Sequence, residues 1–271
     1  MSKPLVSIIT VTFNSEATVA DTLRSVASQD YDNVEHLIVD GASTDATLQI
    51  VEQWRPEYGS VKVLRVSSSP DKGIYDAMNK GLKMAKGEIV GILNSDDYFS
   101  TETSLSTLID AFDDDTDAVY ADLHYIMDER PDLVVRYYSS RVFSRRKMLM
   151  GFQPAHPTFY CRKQCYDRFG HFDIDFKVAA DFEQLLRMIY KGRIRTRYVP
   201  FDCVTMRMGG ASTSGMKSHR QIMRDHIKAY RKNRVPANRF TDALRYFWKL
   251  GEMAGARINW HHEIIDDSPN S

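Results

Sequence analysis

Apolar residues in the first hundred positions follow two alternating patterns. Continuous runs rich in β-branched residues, such as "LVSIITVTF" and "VEHLIVDG", are typical of strands that are covered on both faces. Between them, apolar residues recur at helical spacing, as in the stripe of Val19, Leu23 and Val26. "VKVLRV", "GIYDAMNKGLKMA" and "EIVGIL" continue the series as strand, helix and strand. The alternation predicts βαβ units and an α/β fold, with a mostly parallel sheet between two helix layers.

The second hundred residues are less regular. "DAVYADLHYIM" and "LVVRYYSS" predict two strands that pair across the turn "DERPD", and "FQPAHPTFYCRK" predicts a loop leading into a strand. An amphipathic helix is expected from about Asp181, with Phe182, Leu185, Leu186 and Ile189 facing inward. From Met216 the pattern is helical again. We therefore expect one domain over 1–215, with halves 1–100 and 101–215, and a helical C-terminal extension over 216–271.

The charge balance changes this picture only in the C-terminal extension. The chain as a whole carries 36 Lys and Arg against 36 Asp and Glu, so its net charge says nothing about a nucleic-acid partner, and none is expected. Residues 217–257, in contrast, contain eleven Lys or Arg and three Asp or Glu, and an apolar stripe runs through Phe240, Leu244, Phe247 and Trp248. Such a stripe packs on its own domain or on a second copy, or lies on an anionic membrane. These alternatives, a homodimer and peripheral membrane contact among them, stay open.

Targeting signals are not evident in the sequence. The N-terminus lacks the pattern of a signal peptide, and no apolar run approaches the ~18 residues of a membrane span. Three cysteines cannot form a disulfide framework, which favours a reducing compartment. We expect a cytoplasmic protein, located at the inner face of the cell membrane if it works on a lipid-linked substrate.

Polar side chains follow three of the predicted parallel strands at the point where each strand ends. Thr12 and Asn14 follow the first strand, Asp40 the second, and Asp96 and Asp97 the fourth. Ligands of such sheets bind outside the carboxyl ends of the strands, so these residues predict a site. Neighbouring carboxylates can hold Mg²⁺ or Mn²⁺ against substrate phosphates, although an Asp in a solvated loop or at a helix cap is the simpler interpretation. No Walker motif and no G-x-G-x-x-G are present to bind phosphates instead.

Several motifs in order resemble one enzyme family. "VSIITVTFNSEATVADTLRSVASQDYDNVEHLIVDGASTDAT", "DKGIYDAMNKGLKMAKGEIVGILNSDDYF", "HPTFYCRK", "GHFDIDFKVAADFEQLLRM" and "GGAST" together are similar to the family 2 glycosyltransferases over roughly residues 4–215. The similarity is greatest to the subgroup that builds bacterial exopolysaccharide and lipopolysaccharide repeat units. It implies a GT-A fold, which is a three-layer α/β/α sandwich, with a helical extension at the C-terminus.

The resemblance also implies roles for the residues at the donor side. Asp40 matches the strand-end aspartate that contacts the nucleotide base, and Thr12 and Asn14 lie in the loop around it. Asn79, in the "MNKG" segment, lines the donor side. One departure is Gly41, where the family often has a further acidic residue.

The reaction itself is implied to depend on three carboxylates. "NSDD" matches the D-x-D-type motif, in which Asp97 binds the divalent metal, Mn²⁺ or Mg²⁺, and Asp96 faces the ribose or the metal. Asn94 stands where the family has a first acidic residue. Asp181 matches the general base, although its position also suits a helix N-cap. The family match implies an inverting, metal-dependent hexosyltransferase that moves one sugar from a nucleotide-sugar to a glycan or lipid-linked acceptor in polysaccharide biosynthesis.

Two further residues are candidates for contacts with the acceptor or the diphosphate. His156 lies in a proline-flanked loop, where a structural histidine is an equally good interpretation. Arg207 precedes the "GGASTSG" segment, where a surface arginine is the simpler interpretation. Two other functions stay open. A nucleotidyltransferase on a similar sheet is expected to have a glycine-rich basic loop near the N-terminus, which "TVTFNSEAT" lacks. A non-catalytic nucleotide-sugar-binding protein is expected to have lost Asp181.

Overall fold

The computed structural model describes residues 3–59, 62–208, 215–238 and 240–241, without the side chains of 215–219. The strands are β1 (Val6–Thr12), β2 (Val34–Asp40), β3 (Val63–Ser68), β4 (Ile89–Ile92), β5 (Tyr98–Phe99), β6 (Ala118–Met127), β7 (Arg130–Tyr138), β8 (Tyr160–Arg162) and β9 (Thr196–Arg207). The helices are α1 (Val19–Ala27), α2 (Thr47–Trp54), α3 (Ile74–Met84), α4 (Ser104–Ile109), α5 (Lys163–Phe169), α6 (Ala180–Leu185) and α7 (Gly215–Lys232). A π-turn, Leu186–Lys191, continues α6, and short 3₁₀ turns cover Arg55–Tyr58, Ser140–Val142, Arg145–Met150 and His156–Thr158.

The nine described strands form one sheet. Its first half, in the order β3-β2-β1-β4, is parallel throughout. Its second half continues as β8-β6-β9-β5, in which β8 and β5 pair antiparallel with their neighbours and β6 pairs parallel with β9. The hairpin partner β7 extends from β6, as the strand pattern around "DERPD" predicts. The mostly parallel sheet is therefore confirmed, with antiparallel strands added in its second half.

Helices cover both faces of this sheet because successive residues of the buried strands point to opposite sides. Ile8 of β1 packs with Leu23 of α1 and Leu105 of α4 on one face. Ile9, its neighbour, packs on the other face with Leu82 of α3 and Phe182 of α6. Both faces being apolar explains the continuous hydrophobic runs of β1 and β2. The three-layer α/β/α architecture expected from the sequence is confirmed.

One buried polar group makes the stability of this fold sensitive to acid. His36 of β2 is fully buried between the Thr10 hydroxyl, at 2.8 Å, and the Tyr58 hydroxyl. Burial lowers the pKa of His36 from 6.5 to about 3. The unfolded chain therefore binds a proton that the folded chain does not over this range, so stability falls as the pH drops below 6.5.

We expect the free energy of unfolding to decrease by about 1 kcal/mol on account of His36 when the pH falls from 7.0 to 5.5. His36→Gln removes this contribution, because glutamine does not titrate, although the variant is less stable at both pH values. Urea unfolding of both proteins at the two pH values measures the difference. An equal loss of stability in the variant would contradict the assignment to His36.

Helix α7 packs against α6 on one face of the sheet. His226 stacks on Phe182, with ring centroids 3.8 Å apart, and Ala229 and Tyr230 are fully buried beside them. None of the described helices is long and apolar enough to cross a membrane. The "GGAST" segment at 209–213 and the stripe beyond Thr241 lie outside the described residues, and the domain division at 215/216 stays a prediction.

Candidate functional site

The candidate site lies at the carboxyl edge of the parallel half-sheet. The strand order there changes direction between β1 and β4, because β2 and β3 lie on one side of β1 and β4 on the other. The loops after these two strands meet in a hydrogen bond of 2.9 Å between the hydroxyls of Ser95 and Ser15. Such a switch point is where open α/β sheets form a ligand crevice.

Asp40, at the end of β2, is 1% exposed and its carboxylate is surrounded by donors from its own chain. Oδ1 accepts from the hydroxyls of Thr12, at 2.9 Å, and Ser43, while Oδ2 accepts from the Ser43 amide and, at 2.6 Å, from the Ser68 hydroxyl. Burial alone raises the pKa of Asp40, but these hydrogen bonds outweigh it and the pKa is lowered. Asp40 is therefore an anion whose hydrogen bonds organise the ends of three strands.

Asn14 fixes the loop after β1 to the loop after β2. Its φ of 49° lies in the left-handed region, which asparagine tolerates better than most residues. Its amide donates to the Ser43 hydroxyl at 2.8 Å, and its Oδ1 accepts from the Thr44 amide at 2.9 Å. Both predicted loop residues, Thr12 and Asn14, thus lie within one hydrogen bond of the segment that contains Asp40.

An exposed aromatic ring and a further carboxylate border this edge. Phe13 directly follows a fully buried strand, yet 64% of its surface is exposed. A Cβ atom on Gly41 would lie 2.6 Å from Oδ2 of Asp71 and 3.3 Å from the Phe13 ring, so Asp71 occupies the space that a side chain at position 41 would need. Phe13 and Asp71 were not among the predicted site residues; the only signal for Phe13 was an aromatic residue just beyond a buried strand.

Asp96 and Asp97 differ sharply in their surroundings. Asp97 is fully buried. Among the described residues its Oδ1 has no hydrogen-bond partner, and its Oδ2 accepts only a long 3.4 Å bond from Nδ2 of Asn94. Burial, with the nearby charge of Asp96, raises the pKa of Asp97 well above its ordinary value. Asp96 is only partly buried in surface area, and burial raises its pKa as well. The accessible carboxylate of the pair is therefore Asp96.

Arg207, at the end of β9, is tied to the same loop. Its guanidinium donates to the backbone oxygen of Asp96 at 3.1 Å and pairs with the carboxylates of Asp21 and Asp128. It also lies over the ring of Tyr98, 5.2 Å from the centroid, and its side chain is only 13% exposed. Its positive charge lowers the pKa of Asp96 against the larger effect of burial.

Oxygen atoms without partners make this loop suitable for a hard divalent cation. Oδ1 of Asp97 and Oδ1 of Asn94 are both buried and unbonded within the described part of the chain, and Asp96 adds a carboxylate beside them. Among the described residues, no group of three or more acidic, histidine or cysteine side chains forms a complete metal site. Mg²⁺ and Mn²⁺ are commonly held by one or two carboxylates together with substrate phosphates. The residues fit a cation of that kind.

Asp181 is the second residue of α6, and its carboxylate is not used to cap that helix. The backbone amides of Val178 and Ala179, just before the helix, donate instead to Oδ2 of Asp225 from α7, at 2.9 and 3.2 Å. Oδ2 of Asp181 accepts a 2.9 Å bond from Nε2 of Gln153, and Oδ1 has no hydrogen bond from any described residue. One oxygen of Asp181 is therefore held and the other is free.

His156 and Asn79 lie on the same side of the sheet as Asp181. His156 is half-buried, edge-on against the Phe172 ring; this partial burial lowers its pKa, and the charge of Asp181 opposes the effect. Asn79 forms two 2.8 Å hydrogen bonds with the backbone N–H and C=O of Phe172. His156 therefore lies close to Asp181, whereas Asn79 connects α3 to the loop before α6.

The predicted residues thus form two groups. Thr12, Asn14 and Asp40 share one hydrogen-bonded edge that continues through Ser15 and Ser95 to Asp96, Asp97 and Arg207. His156 and Asp181 form the second group with Gln153. No hydrogen bond or ion pair between described residues joins the two groups directly. The sequence pattern does not single out Gln153 or Asp225, because neither belongs to a motif.

Comparison with known proteins identifies what the chain resembles. Residues 7–169 match the model of the family described as glycosyl transferase family 2. An uncharacterized glycosyltransferase of Mycobacterium tuberculosis is 30% identical over 222 residues, which cover 81% of this chain and 79% of that protein. The Escherichia coli UDP-Glc:alpha-D-GlcNAc-diphosphoundecaprenol beta-1,3-glucosyltransferase WfaP is 28% identical, over 82% of this chain and 85% of WfaP.

A solved structure shares the fold. The mannosyltransferase PcManGT from Pyrobaculum calidifontis, determined in complex with GDP-Man and Mn²⁺, superposes with a TM-score of 0.65 at 21% identity. The match covers 88% of this chain and 66% of that one. At this identity the likeness shows the architecture, which agrees with the expected GT-A fold.

Proposed function

The chain belongs to glycosyl transferase family 2, and from this premise we propose an inverting, metal-dependent transfer of one sugar from a nucleotide-sugar to a glycan or lipid-linked acceptor. The observation that carries the proposal is the division of labour among the carboxylates. Within the described part of the chain, Asp40 is used in internal hydrogen bonds, Asp97 keeps a buried oxygen unbonded beside Asp96, and Asp181 has one oxygen without a hydrogen bond. In this proposal Asp40 organises the structure, Asp96 and Asp97 bind the cation that neutralises charge, and Asp181 removes the proton.

The donor is proposed to bind at the edge that contains Asp40. Phe13 offers an exposed ring for stacking on a base, and Thr12 and Asn14 keep the surrounding loops in register. Asn79 is proposed to support the donor side indirectly, because its two bonds to Phe172 hold α3 against the loop before α6. The relative WfaP, by its name, uses UDP-Glc, which is consistent with a nucleotide-sugar donor here.

The diphosphate is proposed to lie at Asp96 and Asp97. A bound Mn²⁺ or Mg²⁺ would supply positive charge to the departing nucleoside diphosphate. Arg207, held by Asp21 and Asp128, keeps a guanidinium next to the Asp96 backbone and contributes fixed positive charge to the same loop. The carboxylates of Asp96 and Asp97 would repel an anionic leaving group, and Arg207 alone does not offset both of them. A bound cation would make this loop suitable for a diphosphate.

Asp181 is proposed as the general base. Inverting transfer requires one carboxylate that takes a proton from the acceptor hydroxyl on the side opposite to the leaving group. The bond from Gln153 orients the carboxylate of Asp181, and the free Oδ1 is the atom that receives the proton. His156 lies on the same side, and its lowered pKa disfavours a positive charge that would compete for that oxygen.

A thermal-shift screen of UDP, GDP and dTDP, each with and without Mn²⁺, tests the donor site. Ligands that bind only the folded state raise its apparent stability, by about 2.7 kcal/mol at 100 times Kd. One nucleoside diphosphate is expected to raise the midpoint only when Mn²⁺ is present. A shift that is the same without Mn²⁺ would contradict the metal dependence, and no shift with any nucleotide would contradict the donor site.

The acceptor is proposed to be presented at an anionic membrane surface through α7. Arg220, Arg224 and Arg231 are exposed on this helix, at spacings of four and seven residues that keep them on one face. A cavity of about 560 Å³ lies along part of this face and is lined by Arg224, Lys228, Arg231 and Lys232 together with Asp173 and Asp175. WfaP, by its name, acts on a diphosphoundecaprenol-linked sugar, which supports an acceptor of that class.

Reversing the charge of the three arginines to glutamate is expected to weaken binding to phosphatidylglycerol-containing vesicles by more than tenfold, because each cation near an anionic surface contributes about 1 kcal/mol. Co-sedimentation with vesicles of phosphatidylcholine alone and with added phosphatidylglycerol provides the measurement. The matched control reverses three other exposed cations: Lys83, Lys86 and Arg168. Equal losses in both triple variants, or equal binding to neutral vesicles, would contradict the proposed surface.

A further inference from the structure

Gln153 is held rigidly in the loop that precedes the His156–Thr158 turn. Its backbone oxygen accepts a 2.8 Å bond from the hydroxyl of Tyr138. Two residues later, the amide of Ala155 donates to the hydroxyl of Ser140 at 3.2 Å. Because the backbone is tied to β7 and to the turn after it, the side chain of Gln153 projects from a fixed base.

The two ends of the Gln153 amide are in unequal situations. A carboxylate only accepts hydrogen bonds, so the atom that faces Oδ2 of Asp181 at 2.9 Å must be Nε2. The carbonyl end, Oε1, is consequently directed away from that carboxylate. This oxygen is buried and has no hydrogen-bond partner among the described residues.

A buried oxygen without a partner is unfavourable unless something else binds it. The cost of leaving such a group unpaired is about 1–3 kcal/mol, and most buried polar atoms in folded proteins avoid it. Oε1 lies on the same side chain that holds Asp181, whose own Oδ1 is also unbonded by the described residues. Two acceptor atoms, one charged and one neutral, thus lie on two side chains that share a hydrogen bond, and neither atom receives a hydrogen bond from the described residues.

We propose that Gln153 is the residue that positions the acceptor sugar. In this assignment, which rests on Asp181 as the base, the attacking hydroxyl faces Oδ1 of Asp181 and a neighbouring hydroxyl of the same sugar donates to Oε1 of Gln153. The oxygen of the attacking hydroxyl bonds to the anomeric carbon as the bond from that carbon to the diphosphate breaks. Its proton passes to Asp181, while Gln153 undergoes no covalent change.

The arrangement selects a class of acceptor. Two adjacent hydroxyls of one sugar can donate to two open acceptors at the same time, whereas an isolated alcohol can reach only one of them. A saccharide with a free hydroxyl beside the one that is glycosylated therefore fits this side of the site. Because Nε2 donates to Oδ2 of Asp181, the amide of Gln153 cannot rotate by half a turn. Such a rotation would place Oε1 against a carboxylate oxygen, and the site could then not accept a hydroxyl in the same place.

Two substitutions separate the two contacts of Gln153. Gln153→Glu keeps an accepting oxygen but puts a second carboxylate against Asp181, so the pair holds a proton at higher pH. We expect the acid limb of its pH–rate profile to move up by about one pH unit. Gln153→Met loses both contacts, and we expect its KM for a sugar acceptor to rise about tenfold, the effect of one lost hydrogen bond.

The rates are measured as donor hydrolysis, with water as the acceptor, and as transfer to a panel of p-nitrophenyl glycosides. Gln184→Met is the matched control, because Gln184 is a buried glutamine of α6 whose amide, among the described residues, donates to the Gly170 backbone oxygen at 3.1 Å and not to Asp181. It is expected to lower the unfolding temperature without moving the acid limb or the acceptor KM. If Gln153 has only a structural role, both Gln153 variants should likewise lower the unfolding temperature and leave the acid limb and the acceptor KM unchanged. That result would overturn the proposal.

The same assays on Asp181→Asn separate this inference from the function on which it rests. If Asp181→Asn is inactive while both Gln153 variants keep the wild-type acid limb and acceptor KM, only the role of Gln153 is wrong. If Asp181→Asn remains active, the base assignment fails and the role of Gln153 fails with it.

Discussion

Replacing Asp181 with asparagine is expected to lower the rate of sugar transfer by about 10²- to 10⁴-fold, the usual contribution of general base catalysis. Asparagine keeps one carbonyl oxygen that can accept the bond from Gln153, so the side chain retains its position. It cannot take up the proton of the acceptor hydroxyl. The start of α6 is unaffected, because Asp225 rather than Asp181 receives the amides before it.

Two measurements distinguish lost chemistry from lost structure. The unfolding temperature and the nucleoside diphosphate affinity of Asp181→Asn should equal those of the wild type, while donor turnover is lost. Asp167→Asn is the control: this exposed carboxylate of α5 pairs with Lys163 and lies outside the proposed site. A turnover of Asp181→Asn within a few-fold of the wild type would rule out Asp181 as the base.

Replacing Asp97 with asparagine is expected to have opposite effects on stability and on metal dependence. The Asp97 carboxylate is fully buried close to Asn94, and the Oδ1 atoms of both side chains have no hydrogen bond from the residues that the structure describes. An asparagine at position 97 removes a buried acidic group and adds an N–H donor that can reach the Asn94 oxygen. We expect the free energy of unfolding without metal to rise by about 1–3 kcal/mol.

The same change should abolish the stabilisation that Mn²⁺ and a nucleoside diphosphate confer together, because a carboxylate of the proposed cation site is lost. Urea unfolding with and without these ligands measures both effects. Glu35→Gln is the matched control. Glu35 lies near the start of β2, at the edge of the sheet opposite to the proposed site, and its carboxylate accepts hydrogen bonds from Ser7, Arg65 and Lys86. It is expected to lower stability and to retain the ligand effect. An Asp97→Asn variant that retains the ligand effect would contradict the role of Asp97.

The fold was predictable because its signals are local. The β-branched runs that become β1 and β2 and the apolar stripe of α1 each identify an element from a short segment. Parallel pairing then places Thr12 opposite Asp40, as expected for residues that follow neighbouring strands. The second half of the sheet was less predictable, since β5 has two residues and β8 three, too few for a pattern.

The candidate site was predictable in its residues but not in their partners. The bond from Ser68 to Asp40 spans 28 positions, and the amides that precede α6 lie 46 and 47 positions from Asp225, which accepts their bonds. Such long-range contacts leave no periodic signal in a single sequence. Gln153 has no local signal for the same reason. Nothing in the neighbouring sequence distinguishes an ordinary loop glutamine from one whose amide bonds a carboxylate on α6.

The most direct test of the account is product analysis with a panel of nucleotide-sugars, in Mn²⁺ and in EDTA. We predict that one nucleotide-sugar releases its nucleoside diphosphate in Mn²⁺, that EDTA prevents the release, and that an α-linked donor gives a β-linked product by NMR. Release at an equal rate in EDTA, an α-linked product, or formation of a nucleotide-sugar from a nucleoside triphosphate and a sugar phosphate would contradict a metal-dependent, inverting glycosyltransferase.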